Sequence, residues 1–288
     1  MTAATTPAAD AGAAGQRAGV VVRIADESTQ LEQAQLIFDE VWPTEGTNVQ
    51  GNLLRACVHA GGYLSLAYDG TTAVGAALGF IGRHRVGEST GSRQAGTEPP
   101  TTGPPTTEEW HTHLHSHMAG VLGDYRNRHI GTALKLRQRM WALDQGIDTI
   151  VWTFDPLVRR NARLNIGKLG VDVEGYEPNF YGSMTDAINA GDPTDRVFAW
   201  WRLASPRVHR AMAEGLAPID TDSLPSDGQD IRVVALPADI VALRGVDPSA
   251  ALQWRLDVRE GLMGAFAEGF TVIGVNNDGG YVLERERT

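Results

Sequence analysis

Four histidines occupy alternate positions in the segment HTHLHSH, at His111, His113, His115 and His117. Alternate side chains of a β-strand share one face, so at least His115 and His117 are expected to point the same way. Imidazole ionises near pH ~6.5 and can act as a general base around neutral pH. The pattern leaves three roles open: a general base, a structural or acceptor-orienting group, and a metal site such as zinc. His111 and His113 are expected to face solvent.

The segment VLGDYRNRHIGTAL, residues 121–134, follows these histidines directly. An apolar strand end leads through a tight turn with two arginines to Gly131 and then into a helix-forming sequence. Such a segment presents several backbone N–H groups at a helix N-terminus, where the helix dipole and the arginines add positive potential. These features predict a site for a pyrophosphate.

Composition limits the possible functions. The chain has 288 residues, which suggests one or two domains, and its net charge of −10 argues against general nucleic-acid binding. Cys57 is the only cysteine and is expected in the core rather than as a nucleophile. The first 19 residues do not resemble a signal peptide and are interpreted as a disordered tail. Because no apolar run approaches the ~18 residues of a membrane span, we expect a cytoplasmic protein.

Hydrophobic periodicity and turn residues predict alternating strands and helices. Strands are predicted at residues 20–26, 63–68, 72–81, 113–121, 149–154, 197–203, 231–236, 270–275 and 280–285. Helices are predicted from a Ser28 cap to Val41, then at 49–59, 128–144, 159–169 and 250–268. Residues 85–109 are rich in Gly, Pro, Ser and Thr and are interpreted as a mobile insertion, and residues 217–229 as a link.

The segment YRNRHIGTAL resembles the acyl-CoA-binding signature of the GNAT acyltransferase superfamily, Arg/Gln-x-x-Gly-x-Gly/Ala. Arg126 holds the first position and Gly131 the last, while His129 stands where the first glycine is usual. The resemblance covers about residues 20–205. The segments LHSHMAGVL, WTFDPL, NARLN and NAGDPTDR resemble a subfamily of larger bacterial GNAT proteins, some of which are associated with N-acylation of amino acids, including succinylation.

The resemblance implies an α/β fold with a splayed, mostly antiparallel sheet flanked by helices. Residues 206–288 would form a C-terminal β/α extension that packs on the GNAT core, covering the acceptor cleft or forming a dimer contact. It implies acyl-CoA, as acetyl-CoA or succinyl-CoA, as cosubstrate, with no resident metal. It also implies a small-molecule amine, such as an amino acid, as acceptor.

The resemblance also implies a set of site residues. Counting back from Arg126 places His115 level with the family's catalytic glutamate, so His115 would be the base, with His117 assisting. The residues implied to contact acyl-CoA are Ala119, Val121, Arg126, Asn127, Arg128, His129, Ile130, Gly131, Thr132, Ala133 and Asn161. A backbone N–H of Ala119 or Val121 would stabilise the oxyanion.

One family feature is missing from this sequence. Ile166 stands where many members carry a tyrosine that protonates the departing thiolate. Tyr176 and Tyr181 are candidates to replace it. Asn161 and Asn165 could contact the pantetheine arm or lie on the helix surface as ordinary asparagines.

Several further residues have two interpretations each. Asp155 could bind an acceptor ammonium or cap the following helix. Arg159, Arg160 and Arg163 could bind the CoA 3′-phosphate or an acidic acyl group, or lie on a solvated helix face. Of the adjacent Trp200 and Trp201, one is expected in the core and one beside a cleft, and Gly120 marks a bulge or a packing contact.

The function that these features favour is direct acyl transfer from acyl-CoA to an amine, since no serine or cysteine nucleophile is placed to carry the acyl group. The alternatives are a non-catalytic acyl-CoA-binding sensor of the same fold and a zinc-dependent enzyme that uses the histidines. A homodimer is possible; nucleic acid and membrane are not expected as partners.

Overall fold

The computed structural model describes residues 6–43, 46–85, 110–182, 192–221 and 229–286. The chain divides into two compact units. The first contains residues 1–83 and 112–152, and the second contains nearly all of the rest. Because the second unit includes residues on both sides of position 205, the division does not follow the predicted boundary at that position. The proposed mobile insertion, residues 85–109, lies almost wholly outside the described residues.

In the part of the first unit that the structure describes, four helices combine with five strands. Its helices are α1 (Pro7–Ala18), α2 (Ser28–Val41), α3 (Gly51–His59) and α4 (Ile130–Asp144). Its strands are β1 (Val21–Ile24), β2 (Tyr63–Asp69), β3 (Thr72–Arg85), β4 (Trp110–Val121) and β5 (Thr149–Phe154). The strand ends at residues 84–85, 110–111 and 153–154 belong to the second unit.

The strands of the first unit follow the order β1-β2-β3-β4-β5 in one sheet. β2 pairs antiparallel with both β1 and β3, and the hairpin turns at Asp69 and Gly70 as predicted. β4 continues antiparallel to β3, since the Leu122 N–H donates to the Val74 carbonyl at 3.0 Å, while β4 and β5 run parallel. This arrangement confirms the predicted class: mixed α/β with a mostly antiparallel sheet and helices beside it.

The core of the first unit lies between α2, α3 and the middle of the sheet. Leu31, Ala34, Ile37 and Phe38 of α2 are buried at helical spacing, as predicted, and pack with apolar residues of β2 and β3. The predicted Ser28 cap is wrong. Glu27 is the N-cap and forms a capping box with Gln30. The two side chains supply hydrogen-bond acceptors for N–H groups at the start of the helix.

The N-terminal segment corrects the prediction of a disordered tail. Residues 7–18 form helix α1, which begins at Pro7 and ends at Gly19 in the left-handed conformation. α1 packs against α4, and Asp10 forms an ion pair with Arg139 at 3.2 Å. Alanine is the best helix former, and the small side chains let the two helices approach closely.

Among its described residues, the second unit contains five strands and four helices. Its first part holds α5 (Arg159–Ala162), which continues as a π-helical turn (Arg163–Lys168), then β6 (Asp172–Glu177), β7 (Arg196–Arg202) and α6 (Pro206–Glu214). Its second part holds β8 (Gln229–Val234), α7 (Ile240–Val246), α8 (Pro248–Ala267), β9 (Thr271–Val275) and β10 (Tyr281–Glu286). β6 pairs with β7, and β8, β10 and β9 form a separate antiparallel sheet. β6, α6 and α7 were not predicted.

A buried ion cluster fixes α7 and α8 within the second unit. Arg255 of α8 binds Asp155 at 2.8 Å and Asp192 at 2.7 Å, and Arg244 of α7 binds the same two carboxylates. Burial alone would raise the pKa of Asp155, but the two arginines outweigh it and hold that pKa well below its usual range. Asp155 therefore neither caps α5, whose N-cap is Val158, nor presents a free carboxylate.

We predict that Arg255→Met lowers the free energy of unfolding by about 3–5 kcal/mol, because it leaves buried carboxylates short of a counter-charge. Arg202→Met is the matched control, since Arg202 pairs with Asp172 and Glu174 at a half-exposed site and its loss should cost about 1 kcal/mol or less. Urea unfolding at pH 7 measures both values. Equal losses in the two variants would contradict a special role for the buried cluster.

Candidate active site

Strand β4 presents its histidines on one face, as the alternation predicts. His115 and His117 point the same way, with ring centroids 6.4 Å apart, and His113 lies beside them at 6.3 Å from His115. The expectation that His113 faces solvent is wrong. Its imidazole is buried over Gly82, where even a Cβ atom would lie 2.5 Å from the ring. His111 is half-buried.

An aromatic side chain from the neighbouring strand orders the two candidate imidazoles. Phe80 of β3 stacks on His115 with centroids 4.9 Å apart and an interplanar angle of 26°, and it lies 5.7 Å from His117. Phe80 is 38% exposed, which is high for a phenylalanine. A molecule that reaches His115 or His117 would therefore also contact an aromatic face. Sequence reasoning missed Phe80, since the predicted hairpin pairs β3 with β2 and gives no information on its other neighbour, β4.

Both imidazoles are held in the neutral form at neutral pH. Burial, together with the nearby His117 and Lys135, which oppose a positive charge, lowers the pKa of His115 to about 4. The pKa of His117 is also lowered, because neighbouring protein atoms exclude part of its solvent. At pH 7 each ring can therefore accept a proton.

The parallel pairing of β4 with β5 ends beside His115. The ladder joins Leu114 to Ile150 and His115 to Val151. β4 then runs on to Val121 without a further ladder partner on β5 among the described residues. The strands therefore part next to the candidate base, and the edge of β4 carries open backbone groups over residues 116–121. These groups are available to a ligand or to water.

The turn after β4 forms an N–H cradle at the start of α4. Residues 123–125 make one 3-10 turn, and His129 is the N-cap of α4 with φ of 62°. The N–H groups of Ile130, Gly131 and Thr132 have no acceptor within the described part of the chain. Three donors at a helix N-terminus match what an anionic group needs.

Backbone conformation explains why a glycine is usual where this chain has His129. The left-handed region is cheap for glycine and costs other residues about 1 kcal/mol. Asn127 is also left-handed, with φ of 64°, but asparagine tolerates that region better than most residues. His129 is exposed and keeps the turn in the conformation that a glycine would take.

The two arginines of the turn differ in their surroundings. Arg128 forms an ion pair with Asp69 at 2.9 Å and lies over the ring of Tyr125 at 5.3 Å. Arg126 is exposed and has no carboxylate partner among the residues that the structure describes. Arg126 is thus the guanidinium that remains available to an anion at this turn.

Candidates in the second unit are already engaged in other contacts. The Tyr176 hydroxyl donates to Asp195 at 2.5 Å, and burial together with that carboxylate raises its pKa, so it is a poor proton donor. Tyr181 lies within 3.2 Å of the Thr153 hydroxyl and is partly exposed. Ile166, at the position of the family's tyrosine, is fully buried. Asn161 is half-buried on α5.

The basic residues of α5 are mostly committed to structure. Arg159 donates to the Leu236 carbonyl at 2.6 Å and Arg163 to the Asn277 carbonyl at 2.9 Å, whereas Arg160 is exposed. Trp200 and Trp201 are both buried, so the prediction that one of them lines a cleft is wrong.

Two features of the described residues bear on a metal site and on a membrane span. No group of three or more histidine, cysteine, aspartate or glutamate side chains in that part of the chain is arranged to hold a metal ion. Within the same ranges, no helix combines the length and the apolar character needed to cross a bilayer.

Comparison with family models and with curated proteins finds no match. Among solved structures the chain is similar to an N-acetyltransferase from Staphylococcus aureus Mu50, at 14% identity over 64% of this chain and 98% of that one, with a TM-score of 0.46. It is similar to a GNAT family acetyltransferase from Elizabethkingia anophelis with acetyl-CoA bound, at 13% identity over 64% and 98%, with a TM-score of 0.38. At such values the similarity says nothing about function, which has to be inferred from the residues themselves.

We predict that His129→Gly raises the free energy of unfolding by up to about 1 kcal/mol, because glycine relieves the left-handed backbone. Asn127→Gly should gain less, since asparagine already tolerates that conformation. His129→Ala should gain nothing, because alanine keeps the strain. Chemical denaturation of the three variants tests this order, and a loss of stability in His129→Gly would contradict it.

Proposed function

We propose that the protein is a GNAT-type N-acyltransferase that moves an acetyl or succinyl group from acyl-CoA to the amine of a small molecule, such as an amino acid. One observation carries the proposal. Two neutral imidazoles, an unpaired strand edge and an N–H cradle follow one another along residues 115–132. A base, a place for the reacting carbonyl and an anion site therefore occur in the order that acyl transfer from a pyrophosphate-bearing thioester needs.

The residues of the cradle suit a pyrophosphate. The N–H groups of Ile130, Gly131 and Thr132 would donate to phosphate oxygens, and Arg126 would add positive charge. A Cβ atom at Gly131 would meet nothing within 4 Å, so the space over this residue is open. Asn127, Arg128, His129 and Ala133 would shape the same turn, while Asn161 stays a candidate for the pantetheine arm.

Backbone donors for the oxyanion follow from strand geometry. The Leu122 N–H points toward β3, where it donates to Val74. N–H groups of successive residues point to opposite sides of a strand, so those of Val121 and Ala119 are directed to the open edge. We assign them to the tetrahedral oxyanion, which would be stabilised by donors fixed in place before the reaction.

The histidines would prepare the amine. An acceptor ammonium must lose a proton before its lone pair can attack the thioester carbonyl, and His115 with His117 would accept that proton directly or through a water. The amine nitrogen forms a bond to the carbonyl carbon, the tetrahedral intermediate collapses, and the C–S bond breaks. A thiol ionises at a pKa of about 8.5, so the thiolate can depart without the tyrosine acid that Ile166 replaces.

The decisive experiment follows thiol release from acetyl-CoA and from succinyl-CoA against a panel of D- and L-amino acids and arylamines. Turnover with any pair establishes the reaction and names donor and acceptor. Tight CoA binding without turnover would instead support a non-catalytic acyl-CoA sensor, which the replacement of the family's acid by Ile166 makes the second candidate.

The two histidines should be distinguishable from a structural histidine by mutation. We predict that His115→Ala and His117→Ala each lower kcat/KM by about 100-fold or more, in the range typical of a lost general base. His209→Ala is the control, since His209 is exposed on α6 in the second unit and should leave the rate unchanged. A full rate in His115→Ala would remove His115 from the mechanism.

The pH profile gives an independent test. A base must be neutral to act, so activity is lost as the pH falls through its pKa, and for His115 that pKa is about 4. We therefore predict that kcat/KM, corrected for ionisation of the free amine, shows no acid limb that depends on His115 above about pH 5. A limb near pH 6.5 that disappears in His115→Ala would contradict the lowered pKa.

A further inference from the structure

Lys135 is a buried lysine that the mechanism above does not use. It lies in the second turn of α4 and is one of the two lysines of the chain, the other being the exposed Lys168. Among the described residues no carboxylate lies within ion-pair distance of its ammonium. A buried cation normally has such a partner, because removing it from water is costly.

The contacts of Lys135 lie at the point where β4 and β5 separate. Its Nζ donates to the Ser116 hydroxyl at 2.8 Å and sits 3.7 Å from the ring centroid of Trp152. Ser116 and Trp152 directly follow His115 and Val151, the last pair of the parallel ladder. The Lys135 ammonium thus contacts, on both β4 and β5, the first residue beyond the ladder that joins these two strands.

Burial of the charged Lys135 side chain lowers the free energy of unfolding. Desolvation lowers its pKa to about 7, whereas a lysine in the unfolded chain ionises near pH ~10.4. The unfolded state therefore binds more protons between these values, so stability rises with pH across that window, and the full cost is present below pH ~7. Such a residue is not explained by folding alone.

We propose that Lys135 is a positioning residue of the acyl-transfer site, which fixes the opening between β4 and β5 and places positive charge behind His115. The proposal rests on the proposed function. Ser116 lies between the two histidines on β4, so its side chain faces α4 while theirs face the opposite side. Through Ser116, Lys135 holds the segment of β4 that carries the base.

The charge of Lys135 acts on His115 from across the sheet. Among the described residues, the titratable groups that act on His115 are His117 on its own strand and Lys135 from the opposite face of that strand. His113 lies beside His115 on β4, and Phe80 of β3 covers the His115 ring. None of these groups is a carboxylate. Removing the lysine charge therefore removes an opponent of His115 protonation.

The test compares Lys135→Met with the matched control Lys168→Met, and with Lys135→Arg and Ser116→Ala. For Lys135→Met we expect a melting temperature at pH 7 no lower than that of the wild type and a loss of kcat/KM of about tenfold or more. We also expect the His115 titration, followed by NMR of the imidazole, to move to higher pH. Lys135→Arg should restore part of the wild-type His115 titration. Ser116→Ala should reduce kcat/KM without shifting that titration. Lys168→Met should change neither kcat/KM nor the titration.

Three results would overturn the proposal. The first is an unchanged kcat/KM in Lys135→Met. The second is a loss of kcat/KM in Lys135→Met that comes with a lower melting temperature and an unchanged His115 titration. The third is an equal effect in Lys168→Met. The NMR titration and the melting curves need no turnover. If the wild type transfers no acyl group, the proposed function fails, while a shifted His115 titration would still show that Lys135 acts on the histidine.

Discussion

The short parallel ladder between β4 and β5 is the constraint on which the candidate site depends. Buried backbone N–H and C=O groups have to be paired, and two ladder positions cannot pair two strands of these lengths. β4 keeps its place because β3 holds its other edge, as the bond from Leu122 to Val74 shows. Its remaining edge is left for something that is not a strand. A ligand with its own amides and carbonyl could pair there, which is why the proposed mechanism puts the reacting groups beside this gap.

The two faces of β4 differ in how much solvent reaches their side chains. On one face lie His115 and His117, which the proposed mechanism requires to be accessible to an acceptor, and Phe80 covers part of their rings. On the other face the side chains of Ser116 of β4 and Lys135 of α4 are buried against each other, and water is excluded. Strand alternation alone separates these environments by a single residue. His115 and the buried cation of Lys135 can therefore lie on opposite faces of the same strand without contact between their side chains.

Sequence reasoning succeeded where the signal was local. The shared face of the histidines and the register of α2 both follow from periodicity, and the hairpin follows from Asp69-Gly70. It failed for α1, where a composition rich in Ala, Thr and Gly suggested disorder although Thr6, Pro7 and Gly19 mark both ends of a helix. It also failed for Asp155, whose arginine partners lie 89 and 100 residues away. No local pattern indicates such a pairing, and Lys135 was overlooked because a lysine is ordinarily read as surface.

The charge of Lys135 is one cause of the low pKa of His115. An imidazole whose pKa is about 4 is always neutral at pH 7 but holds a proton weakly. The pKa of Lys135 is about 7, so its own charge varies within the physiological range. Each time the lysine loses its proton, His115 is relieved of one repulsive charge and becomes a stronger base, because two interacting groups titrate as a coupled pair. In the proposed mechanism, deprotonation of Lys135 would thus strengthen His115 as the base, while the contact of Lys135 with Ser116 holds the strand segment that carries His115.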